Sequence, residues 1–176
     1  MTITLYPDQQ DLIDRVRAAM MHSKAVLCQS ATGSGKTVMG AYMIGKAREK
    51  GTRCLFVVPR RELLRQTAET RESYQIPFGY VSAGYAPNRL ASVQVATSGT
   101  LARRLDDAPP AGLVFVDECH HSGAELERII AHYRASGAWI VGLSATPLKM
   151  SGQGMGEWYQ ALECGPSIGQ LIADGR

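Results

Sequence analysis

The chain has 176 residues, 45% of them hydrophobic and 20% charged, a balance that buries a real core and excludes a disordered segment. Its formal net charge of +3 permits contact with nucleic acid but falls short of the strong basicity of a non-specific binder. No apolar run approaches the ~20 residues that span a bilayer, MTITLYPDQQ lacks a basic-then-apolar leader, and Cys28, Cys54, Cys119 and Cys164 are dispersed without a CxxC pair, so a reduced, cytoplasmic setting without membrane insertion is expected.

From Pro7 to His22 the apolar residues Leu12, Ile13, Val16 and Met20 recur at three-to-four spacing, and Pro7 and Asp8 are placed to start a helix. AVLCQS reads as a short buried strand; a glycine-rich loop follows, then a helix from Thr37 to Lys50 stopped by Gly51. The alternation repeats with RCLFVVP and RRELLRQTAETRESY, SVQVAT and SGTLARRL, GLVFVDE and AELERIIAHYRA, and ends with AWIVGLSAT. It predicts an α/β fold in which a central, mainly parallel sheet carries helices on both faces, with functional loops at the carboxyl ends of the strands. DDAPPAG and KMSGQGMG read as loops rather than linkers, so residues 1–176 are expected to form one domain. Trp158 and Tyr159 are expected to pack a terminal helix on the sheet or to face a following domain, although aromatic side chains also stack on bases.

A phosphate-binding loop needs inward-facing backbone N–H groups, a helix N-terminus behind them, a lysine, and a hydroxyl for the metal. SATGSGKT supplies these: Thr32, Gly33, Ser34 and Gly35 form the cradle, Lys36 reaches the phosphates and Thr37 ligates Mg2+, with Ser30 where such loops usually begin with glycine. ATP is the expected nucleotide. LVFVDECHH places two carboxylates at the end of an apolar strand, where Asp117 would hold the metal and Glu118 would position or deprotonate the attacking water. Cys119, His120 and His121 also suggest zinc, but three contiguous residues do not easily close a tetrahedral site. We group His120 with the catalytic residues Lys36, Asp117 and Glu118.

Taken together, ATGSGKT, VVPRRELLRQ, VATSGTL, VDECHH and LSATP resemble, in order, motifs I, Ia, Ib, II and III of superfamily 2 helicases of the DEAD/DECH-box type. The DECH form is similar to the XPB-like or type III restriction-enzyme-like branch. The resemblance implies the N-terminal RecA-like domain, a P-loop NTPase fold, of an ATP-dependent helicase. It assigns adenine reading to Gln9, with Gln10 as a neighbouring candidate, nucleic-acid backbone contacts to Arg60, Arg61, Thr97 and Gly99, and coupling roles to Ser144 and Thr146. Such motors act on nucleic acid, here with DNA favoured over RNA, and have a second RecA-like domain bearing arginine fingers, which nothing after SATP resembles. The isolated domain is therefore expected to bind ATP but turn it over slowly, since an arginine finger is worth ~10³ to 10⁵ in rate. Two other readings stay open: a P-loop phosphotransferase, which leaves SATP without a role, and a non-catalytic module that binds nucleotide or nucleic acid.

Overall fold

The computed structural model describes residues 3–60, 63–64, 76–121, 123–173 and 175. Helix α1 (Pro7–Met20) begins with proline at its first turn and ends with Arg17 in its last, each the charge or ring that its terminus favours. Strand β1 (Ala25–Gln29) leads through the glycine loop into α2 (Lys36–Glu49). There follow β2 (Cys54–Val58), the short β3 (Gly79–Val81), β4 (Val93–Thr97) and α3 (Ser98–Ala102). A 3-10 turn at Leu105–Asp107 precedes β5 (Leu113–Val116), α4 (Ala124–Ala135), β6 (Trp139–Ser144), β7 (Ala161–Cys164) and α5 (Ile168–Ala173).

The strands form one sheet in the order β3-β4-β2-β5-β6-β1-β7, and every pair is parallel. Parallel pairing demands crossovers that cover both faces, which is why the central strands are apolar without alternation. One face packs Val26, Phe56, Phe115 and Val141 against Leu12, Ile13 and Val16 of α1 and Met39 and Ile44 of α2. The other packs Leu27, Leu55, Val114 and Ile140 against Leu101 of α3 and Leu126, Ile129, Ile130 and Tyr133 of α4. Phe56 and Phe115 are direct neighbours across β2 and β5, their rings stacked with centroids 6.0 Å apart. No described helix is long and apolar enough to cross a membrane.

Several expectations change. SGTLARRL is not one helix: α3 ends at Ala102 and a 3-10 turn replaces its continuation. Trp158 and Tyr159 lie on no helix; both are buried against the sheet, which removes them as base-stacking candidates. The GQGMG stretch is held in a turn by a Leu148–Gly154 bridge and by Lys149 N–H donating to Gln153 O at 2.7 Å. β3, β7 and α5 were not anticipated. In the RRELLRQTAETRESY segment only Arg60, Leu63 and Leu64 are described, so Arg61 lies outside the described residues.

Candidate nucleotide site

Parallel pairing brings every strand's carboxyl end to one edge of the sheet. The glycine loop leaves β1 there and the acidic loop leaves β5, with only β6 between them, so the two loops start about 10 Å apart at two strand spacings. The end of β6 is bonded to both: Ser30 N–H donates to Ser144 O at 2.9 Å, and Cys119 N–H to Leu143 O at 3.1 Å.

In the glycine loop Gly33 and Gly35 take φ of 81° and 84°, the left-handed region that glycine enters without strain. Gly35 also has no room for a side chain, since a Cβ there would stand 2.5 Å from Gln9 Nε2. Ser30 Oγ donates to Ser34 Oγ at 2.7 Å, bracing the loop across its base. Lys36 is the notable charge. It is only 8% exposed, its Nζ donates to Ser30 O at 3.1 Å and Ala31 O at 3.2 Å, and it is in no ion pair among the described residues. A buried cation held by neutral carbonyls leaves its charge uncompensated. Thr37 lies beside it on the first turn of α2.

Gln9 sits against this loop, but both ends of its amide are engaged. Nε2 donates to Ser34 O at 2.7 Å, and Oε1 accepts the Tyr6 N–H at 3.0 Å. Its contacts brace the loop, and adenine reading would require exchanging them. Gln10 bonds to Asp14 of its own helix at 2.9 Å.

In the acidic loop Asp117 is buried, its N–H donating to Val57 O at 2.8 Å and its Oδ1 accepting the Glu118 N–H at 3.0 Å. Glu118 has φ of 47°, a left-handed conformation that is strained for a residue with a Cβ and concentrates at functional sites. His120 Nδ1 lies 2.9 Å from Ser144 Oγ and 3.3 Å from Glu118 Oε2. Because Ser144 Oγ donates to Thr146 O at 2.6 Å, it accepts from His120, which assigns the Nδ1–H tautomer. Burial lowers the His120 pKa, the charge fields of His121 and Lys36 lower it further, and Glu118 raises it. Cys119 turns into the core, His120 toward Ser144, and His121 toward Met150 Sδ at 3.0 Å, so the three face different partners.

The remaining candidates line the same edge. A small cavity of about 20 Å³ brings Pro59, Ser98, Asp117, Glu118 and His121 together. Arg60 is exposed at the end of β2. Thr97 is buried, its hydroxyl bonded to Thr100 Oγ1 at 3.0 Å and Ser82 Oγ at 3.4 Å, one as donor and one as acceptor. Gly99 has both charges beside it: a Cβ there would lie 3.3 Å from Glu125 Oε2 and 3.5 Å from the Arg103 guanidinium, whose Nε donates to Gly99 O at 2.9 Å. Thr146 Oγ1 accepts the Leu148 N–H at 3.3 Å. Sequence reasoning missed Tyr6, Val38, Ile168, Leu171 and Ile172, which line a cavity of about 580 Å³ beside the glycine loop. Only Tyr6, next to the proline of LYPDQQ, carried a signal.

Residues 2–149 match the family described as type III restriction enzyme, res subunit. A 51.5 kDa protein of Lactococcus phage (isolate 7-9) is 31% identical over 153 residues, which cover 85% of this chain and 30% of that protein. The ATP-dependent DNA helicase Hel308 of Pyrobaculum calidifontis is 30% identical over 162 residues, covering 81% of this chain and 22% of the relative. The chain thus spans less than a third of either relative. The crystal structure of the UvsW helicase from bacteriophage T4 shares the fold, with a TM-score of 0.73 at 17% identity over 92% of this chain and 60% of that one. Since the match to the res-subunit family runs through most of its length, the chain belongs to that family and folds as a RecA-like domain of superfamily 2 helicases.

Proposed function

We propose that this domain binds ATP with Mg2+ at the glycine loop and hydrolyses it as the first half of a DNA-remodelling motor completed by a second RecA-like domain, in cis or on a partner. The buried, unpaired ammonium of Lys36 carries this reading, because a polyphosphate is the group that compensates it. The oxygen donors nearby fit a hard divalent cation: Thr37 and Asp117 would hold it. Such an ion neutralises charge developing on the phosphate oxygens. Within the chain, the N–H groups from Thr32 to Gly35 orient the phosphates, and Glu118 orients water or accepts its proton. His120, 3.3 Å from the Glu118 carboxylate and bonded to Ser144, links the acidic loop to the end of β6.

DNA as substrate rests on the resemblance of the motifs and on the name of the Hel308 relative. Arg60, an exposed cation at the end of β2, would meet a nucleic-acid backbone, with Gly99 and its neighbour Arg103 on the same edge and Thr97 joining once its hydroxyl is released. The four free thiols support a reducing, cytoplasmic setting. Calorimetric titration of the chain with Mg–ATP tests the reading directly: binding is expected, and Lys36→Ala should abolish it. Glu118→Gln should retain binding and lose phosphate release, measured with and without duplex DNA. Failure of the unaltered chain to bind Mg–ATP would refute the nucleotide site; transfer of the phosphate to a metabolite would replace the motor with a phosphotransferase.

A further inference from the structure

The cavity beside the glycine loop has a wall that no motif explains. Its volume of about 580 Å³ falls in the ~300–1,000 Å³ range of small-molecule sites. The loop and Val38 form one side, Tyr6 and Gln9 another, and Ile168, Leu171 and Ile172 of α5 the third. Leu171 is buried and anchors the helix, whereas Tyr6, Ile168 and Ile172 remain 56%, 63% and 67% exposed. Large apolar side chains clustered in water around a concave site point to an apolar ligand surface.

The segment that leads into α5 is tied to the base of the glycine loop. The chain leaving β7 passes over the end of β1, where Gly165 N–H donates to Gln29 O at 2.7 Å. It runs so close that a Cβ at Gly165 would stand 2.9 Å from Ser30 Oγ, the first residue of the loop. Ser167 then starts the helix: its N–H donates to Gln170 Oε1 at 2.8 Å, and its carbonyl accepts the Leu171 N–H at 3.0 Å. Both ends of the Gln9 amide are engaged, and the apolar lining of this cavity includes Val38 on the loop side and the isoleucine edge of α5 opposite.

Building on the nucleotide site proposed above, we propose that α5 is the nucleobase wall of that site: the purine ring of the bound nucleotide packs on Ile168 and Ile172, with Tyr6 on the same cavity. The phosphates are held by the loop and the base by α5, so a nucleotide bridges the two and a bare polyphosphate does not. Base binding fastens α5 to the loop, which makes the position of this helix sensitive to nucleotide.

The double variant Ile168→Ser/Ile172→Ser tests this, since both side chains are mostly in solvent and the fold does not depend on them. Affinities for Mg–ATP and for Mg–tripolyphosphate are measured by calorimetry on the unaltered chain, the double variant and Lys36→Ala. For the double variant the ATP dissociation constant should rise about tenfold, as expected from losing part of the burial of two isoleucines, while tripolyphosphate affinity stays within about twofold. Lys36→Ala should weaken both ligands. Unchanged ATP affinity in the double variant, with Lys36→Ala still defective, would overturn the wall and leave the phosphate site standing. Equal losses for ATP and tripolyphosphate in the double variant, or equal affinity of the unaltered chain for the two ligands, would also overturn it. If Lys36→Ala changes neither ligand, the nucleotide site itself fails and the wall with it.

Discussion

Gly142, in the middle of β6, is replaced by alanine in the most discriminating test of how the acidic loop is supported. A Cβ at this position would lie 2.5 Å from Tyr159 Cζ and 2.6 Å from its hydroxyl. The ring is buried against the sheet, so relieving the clash would mean displacing it from its packing against the core. Overpacking of this kind costs about 1–3 kcal/mol, while relief of glycine's backbone entropy in a strand returns about 0.5–1 kcal/mol. With three atoms of the Tyr159 side chain within 2.7 Å of that Cβ, the overpacking lies at the upper end of its range, and the net expectation is a loss of about 2–2.5 kcal/mol. For a chain of this length that lowers Tm by about 4–10 °C, read by urea titration and thermal melting. The sign should invert once the ring is gone: in a Tyr159→Ala background Gly142→Ala has nothing to strike and should stabilise. Gly142→Ala no less stable than the unaltered chain, or equally damaging with and without the ring, would refute the close contact. Tyr159→Phe separates packing from polarity. Among the described residues the Tyr159 hydroxyl meets only the Cys119 thiol, a weak hydrogen-bonding group, and burial raises its pKa well above the ordinary value. Removing it should hold or raise stability, by up to about 1–3 kcal/mol.

Thiol chemistry and pH probe the same loops. Cys28 and Cys119 are pushed up to about 12 by burial and Cys54 is buried, whereas Cys164 is exposed; native-state labelling with a thiol reagent should modify Cys164 quickly and the other three only on unfolding. His120 binds its proton less readily in the fold than at its ordinary pKa of 6.5. Its contribution is therefore complete above that pH and is lost as pH falls toward the lowered folded value; urea midpoints followed across this window should decline with acid, and His120→Asn should flatten the decline. At Glu118, whose φ is 47°, glycine should be more stable than alanine by roughly 1 kcal/mol in urea melts, although neither variant should sustain turnover.

The order of strands and helices was legible because each central strand is an uninterrupted apolar run and each crossover helix has a periodic face. Pro7 opening α1 and Gly51 closing α2 gave boundaries close to those found. β3 was invisible because three edge residues carry no period, and β7 because ALEC is half exposed and obtains its pairing from β1 alone. The glycine loop and the acidic pair stand out in the sequence for a different reason: each is a contiguous run of residues at the end of an apolar strand. Contacts between distant segments left no such mark. Nothing in LYPDQQ announces that the Gln9 amide is held by Ser34 and Tyr6, nothing in SGT that Glu125 crowds Gly99, and nothing in EWYQ that Tyr159 lies on the glycine of VGLS.

Those distant contacts converge on the carboxyl end of β6. Ser144 O receives the first N–H of the phosphate loop, Leu143 O receives an N–H of the acidic loop, Ser144 Oγ meets His120, and Gly142 seats the ring that touches Cys119. Three consecutive residues therefore bear on both the glycine loop and the acidic loop. A shift of either loop must stretch a bond to Leu143 or Ser144, and through the Ser144 hydroxyl it reaches the Thr146 carbonyl. Changes at Gly142 and Tyr159, which touch no phosphate, should thus act on Glu118 by moving the shared strand end rather than by altering the carboxylate itself.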